Sequence, residues 1–167
     1  MAKRNSKDGK GRFIQIPHSV LSHPDYQSLG GNSVKLLNAL AYQYNGRNNG
    51  NLSAAWGLMR NAGFKSKDTI TKAVRQLVSH QIIVKTRDGK FQNPNSCCDL
   101  YALCWNRIDP CEGKKLELGP TRAPYRTFIA GDIRSPRPVS GMESSLKLGS
   151  ARLRDERGRY SSHHKLG

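Results

Sequence analysis

The period of the apolar residues changes at Gln81, and no other feature constrains the fold as much. Before it, "GFKSKDTITKAVRQLVS" carries Ile70, Ala73, Val74, Leu77 and Val78 at i, i+3, i+4, i+7 and i+8. That spacing makes one apolar stripe on a helix, with Ser66 placed as its N-cap. After it, "IIVKTRDGKF" is rich in β-formers and "CCDLYALCWNRI" alternates. Leu100, Ala102 and Cys104 face one way, while Tyr101, Leu103 and Trp105 face the other. Asp88-Gly89 is a hairpin turn signal. The two segments therefore predict a β-hairpin around the polar tip "RDGKFQNPNSCCD".

The chain before this helix supplies what its stripe can pack against. "PHSVLSHPDYQSL" predicts a short helix, with Pro24 opening a second turn or short helix. "GGNSVKLLNALAYQYNG" predicts a longer helix, capped by Asn32 or Ser33 and stopped by Gly46. Its buried face is Val34, Leu37, Leu40, Ala41 and Tyr44. "RNNGN" reads as a loop. Leu52 is a strand stub, Ser53 an N-cap, and Ala54 to Asn61 a short helix ending near Gly63. Ile70, Val74 and Leu77 are then expected against Leu37, Leu40, Leu52 and the hairpin. Trp56 and Trp105 read as core anchors.

Only 36% of the 167 residues are apolar, so part of the chain is expected outside any core. Net charge is +16, which points to a polyanionic partner. Residues 1–12 hold five Lys/Arg against one Asp, residues 13–109 eleven against five acids, and residues 110–167 twelve against six. The first segment reads as a basic flexible arm. Residues 110–167 are rich in Gly, Pro and Ser and hold only a weak stripe at 146–157, so they read as a basic tail, disordered or ordered by a partner. No run of 18 apolar residues exists, and the charged N-terminus lacks an apolar h-region. No membrane partner and no secretion signal are expected. Cys97, Cys98, Cys104 and Cys111 lack metal-ligand spacing and form no disulfide framework. They fit a reducing, cytoplasmic setting and a chain without metal or cofactor. Asp25, Asp68, Asp88, Asp99 and Asp109 are too scattered for a metal-dependent nuclease. An enzyme is not expected.

The order of elements is helix, loop, short helix, the turn "NAGFKS", helix, hairpin. A short Gly-containing turn between two helices is common in helix-turn-helix units, and the hairpin would be a wing. On "IPHSVLSHPDYQSL", "AYQYNGRNNGNLS", "GFKSKDTITKAVRQLVSHQIIVKTRDGKF" and "LYALCW", residues 13–109 resemble winged-helix proteins of bacterial phages, plasmids and integrating elements, replication-initiator-like or regulator-like. The fold class implied is mainly α with a β-hairpin: a winged helix-turn-helix domain followed by a long irregular tail.

That resemblance implies a sequence-selective duplex DNA-binding protein of a bacterial mobile element, acting in transcription regulation or replication initiation. Its second helix would enter the major groove. Lys65, Ser66, Lys67, Thr69 and Thr71 would meet phosphates or bases, and Lys72, Arg75 and Gln76 would face the groove. Lys85, Arg87 and Lys90 would contact the backbone from the wing. Arg47 is a further candidate in its loop, and Lys3 and Arg4 in the arm. The alternative is a non-enzymatic subunit or inhibitor within a larger nucleoprotein complex, using the winged helix and the basic 110–167 tail to bind protein, RNA or both. There Tyr125, Arg126, Phe128 and Ile129 would be the docking segment. A homodimer is compatible with either reading.

Overall fold

A computed structural model describes residues 13–90 and 97–129. The elements are α1 (His18–Leu21), α2 (Pro24–Gln27), α3 (Gly31–Gln43), α4 (Trp56–Asn61), α5 (Lys67–Ser79), β1 (Ile83–Arg87) and β2 (Leu100–Leu103). The described residues are thus five helices and a two-stranded antiparallel sheet. None of these helices is long and apolar enough to cross a membrane. The arm with Lys3 and Arg4, residues 91–96 within the expected hairpin tip and the stripe at 146–157 lie outside the described residues.

Local chemistry sets the helix ends, and tertiary contacts move several of them. Pro24 opens α2, whose N-cap His23 accepts from Asp25 N–H through Nδ1 at 3.2 Å. The helix α3 starts at Gly31 with Gly30 as N-cap, not at Asn32 or Ser33. Ser33 already lies inside the first turn, its N–H donating to Gly30 O at 2.9 Å, and its buried hydroxyl donates to Gln76 Oε1 of α5 at 2.6 Å. The end of α3 comes at Gln43, before Gly46, because the Gln43 side chain clamps Ser53: Nε2 donates to Ser53 O and Oε1 accepts from Ser53 N–H. Ser53 Oγ accepts from Ala55 N–H, which holds a turn and delays α4 to Trp56.

In α5 the expected cap is present: Ser66 Oγ accepts from Asp68 N–H at 3.2 Å. Ile70, Ala73 and Leu77 are buried, with Val74 and Val78 packed at the margin. They join Leu36, Leu37, Leu40, Leu52, Met59, Ile82 and Ile83 in one core. Leu36, not in the expected α3 face, is fully buried, whereas Val34 and the C-cap Tyr44 are only half-buried. Each fully buried aliphatic side chain stabilises by about 1.5–3 kcal/mol relative to exposure. The α4–α5 turn needs Gly63, which has φ 81° and carries the carbonyl that accepts from Lys35 Nζ at 2.8 Å. A Cβ there would stand 3.0 Å from that ammonium.

The hairpin pairs Ile83 with Leu103, Val84 with Ala102, Lys85 with Tyr101 and Arg87 with Leu100, with a register shift at Thr86. Single bridges join Leu52 to Tyr101 and Lys90 to Cys97. Pairing at Lys90 means that Asp88-Gly89 lies within the ladder and does not turn the chain. Gly89 N–H donates instead to Asp99 Oδ1 at 2.7 Å.

Alternation along β2 does not separate a wet face from a dry one: all four residues are buried. Residues 110–129 lie against the domain and help to cover them, so packing does not stop at Asp109 as the sequence suggested. Thr121 N–H donates to Ile108 O, and Arg126 N–H to Cys104 O. Of the expected docking segment, Arg126 and Phe128 are buried in the domain, whereas Tyr125 and Ile129 are exposed. The Arg126 guanidinium donates to His80 O and to Asp25 Oδ2, each at 2.7 Å. Phe128 meets the His23 ring edge-on at 5.4 Å. Burial raises the Asp25 pKa, but the bonds from Arg126 and His80 outweigh it and hold the carboxyl below its ordinary value.

Candidate nucleic-acid interface

The first part of α5 and the turn before it carry a group of exposed cations. Lys65, Ser66, Lys67, Thr71, Lys72 and Arg75 are exposed, and Thr69 is half-buried. At 100° per residue, Asp68, Lys72 and Arg75 fall opposite the buried stripe. Lys72 Nζ pairs with Asp68 Oδ2 at 2.8 Å. Thr71 Oγ1 donates back to Lys67 O, which turns its hydroxyl along the helix. Asp68 is the one acid on this face and lay outside the expected set.

Gln76 does not belong with them. It lies about 80° round from Asp68 at 100° per residue, on the side facing the start of α3. Its Oε1 accepts from Gly30 N–H at 3.1 Å and from Ser33 Oγ at 2.6 Å. An amide engaged in this way is not available to read adenine. It fixes the start of α3 against α5 instead.

The hairpin cations divide. Lys90 is exposed. Lys85 is held between Asp88 Oδ1 at 2.8 Å and Asp99 Oδ1 at 3.5 Å. Burial lowers the Lys85 pKa, and the two carboxylates more than offset this, leaving the ammonium above its usual value. Arg87 is drawn inward: Nη1 donates to Lys114 O at 2.8 Å and Nη2 to Cys98 O at 2.9 Å. It ties β1 to the 110–129 segment and is not a free backbone contact. No pattern in the sequence signalled that pairing, because Lys114 lies 27 residues away.

Arg47 is exposed on a loop built by amides. Asn48 Oδ1 accepts from Asn45 N–H, Asn45 Oδ1 from Arg47 N–H, and Asn48 Nδ2 donates to Gln43 O. Asn49 is fully buried, with Nδ2 on the carbonyls of Leu103 and Arg107 and Oδ1 on Leu103 N–H. These amides hold the loop to the end of β2.

Among the described residues no group of three His, Cys, Asp or Glu is placed to hold a metal ion. Burial pushes the Cys104 thiol pKa up, and burial with the nearby Asp109 does the same for Cys111. Raised thiols are poor nucleophiles at neutral pH. Comparison with protein-family models, with curated proteins and with solved structures gives no match to this chain.

Proposed function

We propose that residues 13–129 form a winged helix-turn-helix domain that binds duplex DNA sequence-selectively, without catalysing a reaction. In this reading α4 and α5 are the helix pair, α5 is the recognition helix, and β1 and β2 are the wing. The observation that carries it is the set of exposed cations at the start of α5: Lys65 in the turn before it, Lys67 in its first turn, and Lys72 and Arg75 opposite the packed stripe. A helix of 13 residues whose apolar side is firmly held can enter a major groove without distorting its own domain. Lys90 and Arg47 would contact phosphates beside it, with Lys3 and Arg4 adding sequence-independent attraction from the arm. In keeping with the resemblance of residues 13–109, the protein would act in transcription regulation or replication initiation on a bacterial mobile element, in the cytoplasm. The alternative, a docking subunit working through its tail, is weakened because Arg126 and Phe128 already pack inside this domain.

Selection from a random duplex pool, with single-stranded DNA and RNA as competitors, tests the proposal. The wild-type chain should enrich one duplex motif. A Lys67→Ala, Arg75→Ala double variant should keep its thermal stability within about 1 kcal/mol, as exposed sites generally do, yet retain little duplex. Equal retention of all three nucleic acids, or undiminished enrichment by the double variant, would exclude α5 as the reading helix.

A further inference from the structure

A carboxylate is out of place on a surface that meets phosphates, unless it faces a donor. Asp68 is that carboxylate. It lies within about 60° of Lys72 and Arg75 around the helix at 100° per residue, and its Oδ2 stands 2.8 Å from Lys72 Nζ. The two side chains are 69% and 72% exposed, so the pair adds little to stability. Its geometry is more informative than its strength: it presents one acceptor and one donor side by side toward solvent.

The major-groove edge of a base pair presents the complementary arrangement. An amino donor and a carbonyl acceptor stand next to each other, joined by a hydrogen bond of about 2.9 Å. Two edges meet this condition, cytosine N4 beside guanine O6 and adenine N6 beside thymine O4. The next atoms along the groove separate them. Beyond guanine O6 lies N7, a second acceptor within reach of the remaining ammonium donors. Beyond adenine N6 lies N7, an acceptor set against the carboxylate, and beside thymine O4 lies a methyl group set against the ammonium.

We infer that the Asp68–Lys72 ion pair reads a C·G base pair, Asp68 accepting from cytosine N4 and Lys72 donating to guanine O6 and N7. This assignment rests on the duplex-binding reading of α5. Asp68 also lies in the first helical turn, where any carboxylate suits the helix dipole. Base preference is therefore the readout that separates recognition from a structural role.

The test uses the full chain and the duplex it selects, with each base pair replaced in turn. At one position, C·G→A·T should weaken wild-type binding by about 5- to 100-fold, the range of one good direct contact. Asp68→Ala should reduce that discrimination to under about 2-fold while other positions keep theirs. Asp68→Asn, with amide chemistry suited to adenine N6 and N7, should move the preference at that position toward A·T. Circular dichroism should show both variants folded. Unchanged base preferences in both variants overturn the inference alone, even if overall affinity rises through lost phosphate repulsion. A wild-type chain that prefers no duplex overturns the duplex reading and the inference together.

Discussion

Asn49→Asp replaces one heavy atom and should markedly destabilise the fold at neutral pH. The side chain is fully buried. Its Nδ2 donates to Leu103 O at 3.0 Å, Arg107 O at 2.8 Å and, more weakly, Asn106 O at 3.3 Å. Aspartate keeps the oxygen that accepts from Leu103 N–H at 2.7 Å, but turns the other atom into an acceptor facing carbonyls. The half-buried Arg107 carbonyl loses its side-chain donor and the buried Leu103 carbonyl keeps only Asn106 N–H at 3.3 Å, at about 1–3 kcal/mol for a group left short. The new charge also lies near Asp109, whose Oδ2 accepts from Asn49 N–H at 3.0 Å. The expected cost is about 3–5 kcal/mol, against a typical total stability of about 5–15 kcal/mol. In urea, at about 1–3 kcal/mol per molar, the midpoint should fall by at least about 1 M. Acid should rescue the variant. Burial and a neighbouring carboxylate raise the folded-state pKa of the introduced group above its unfolded value of about 3.9. A raised pKa means that the protonated form, which can donate one bond, is favoured by folding, so the penalty is smallest below about pH 4 and grows as pH rises. Urea unfolding followed by far-ultraviolet dichroism at pH 7 and pH 5, beside wild type, measures both effects. A midpoint equal to wild type at pH 7 would refute the view that this amide ties the 45–51 loop to β2.

Three further outcomes follow from the packing. Leu77→Ala should cost about 2–5 kcal/mol in chemical unfolding by leaving a cavity between α5 and its neighbours; wild-type stability would mean that α5 is rotated. Gln76→Ala should cost about 1–2 kcal/mol through the Gly30 and Ser33 bonds, while base preferences in a duplex selection stay as they were; a relaxed base position would return Gln76 to the groove. Asp25→Asn should flatten the acid limb of stability. The Asp25 pKa is depressed in the fold, so its contribution is complete above the unfolded value of about 3.9 and is lost as pH falls through the lower, folded value. Thermal melts between pH 5 and pH 2 should show wild type losing stability more steeply than the variant.

Elements whose partners lie close in sequence, or whose pattern is long, were legible. The helix α5 shows five stripe positions and a Ser cap, and both are in the structure. The β pattern after Gln81 placed the hairpin correctly, since alternation and branched residues are local signals. What could not be read was the choice of distant partners. Ser33 looks like an N-cap, but it lies inside the first turn and Gln76, 43 residues on, takes its hydroxyl. Arg87 looks like a wing cation until Lys114 O and Cys98 O draw it in. The 110–129 segment lacks periodicity because it is held by single bonds to earlier residues, not by an element of its own. One clue to it was present: "LYALCW" is apolar on both faces, and a strand dry on both faces needs cover from somewhere else in the chain.

That cover also bears on how the protein tolerates its own concentration. A two-stranded sheet has two open sides, each a template on which a second chain's strand can add. Here neither is left bare at its centre. Leu52 pairs with Tyr101 on the outer side of β2, its N–H donating to Tyr101 O and its O accepting from Tyr101 N–H. At the register shift in β1, the Thr86 carbonyl accepts from Glu117 N–H at 2.8 Å and Leu118 N–H at 3.1 Å. Residues 114–118 thus act as a guard strip over hydrogen-bonding groups that would otherwise recruit a neighbour, and a shortened chain ending at Asp109 should self-associate through its hairpin where the longer one does not.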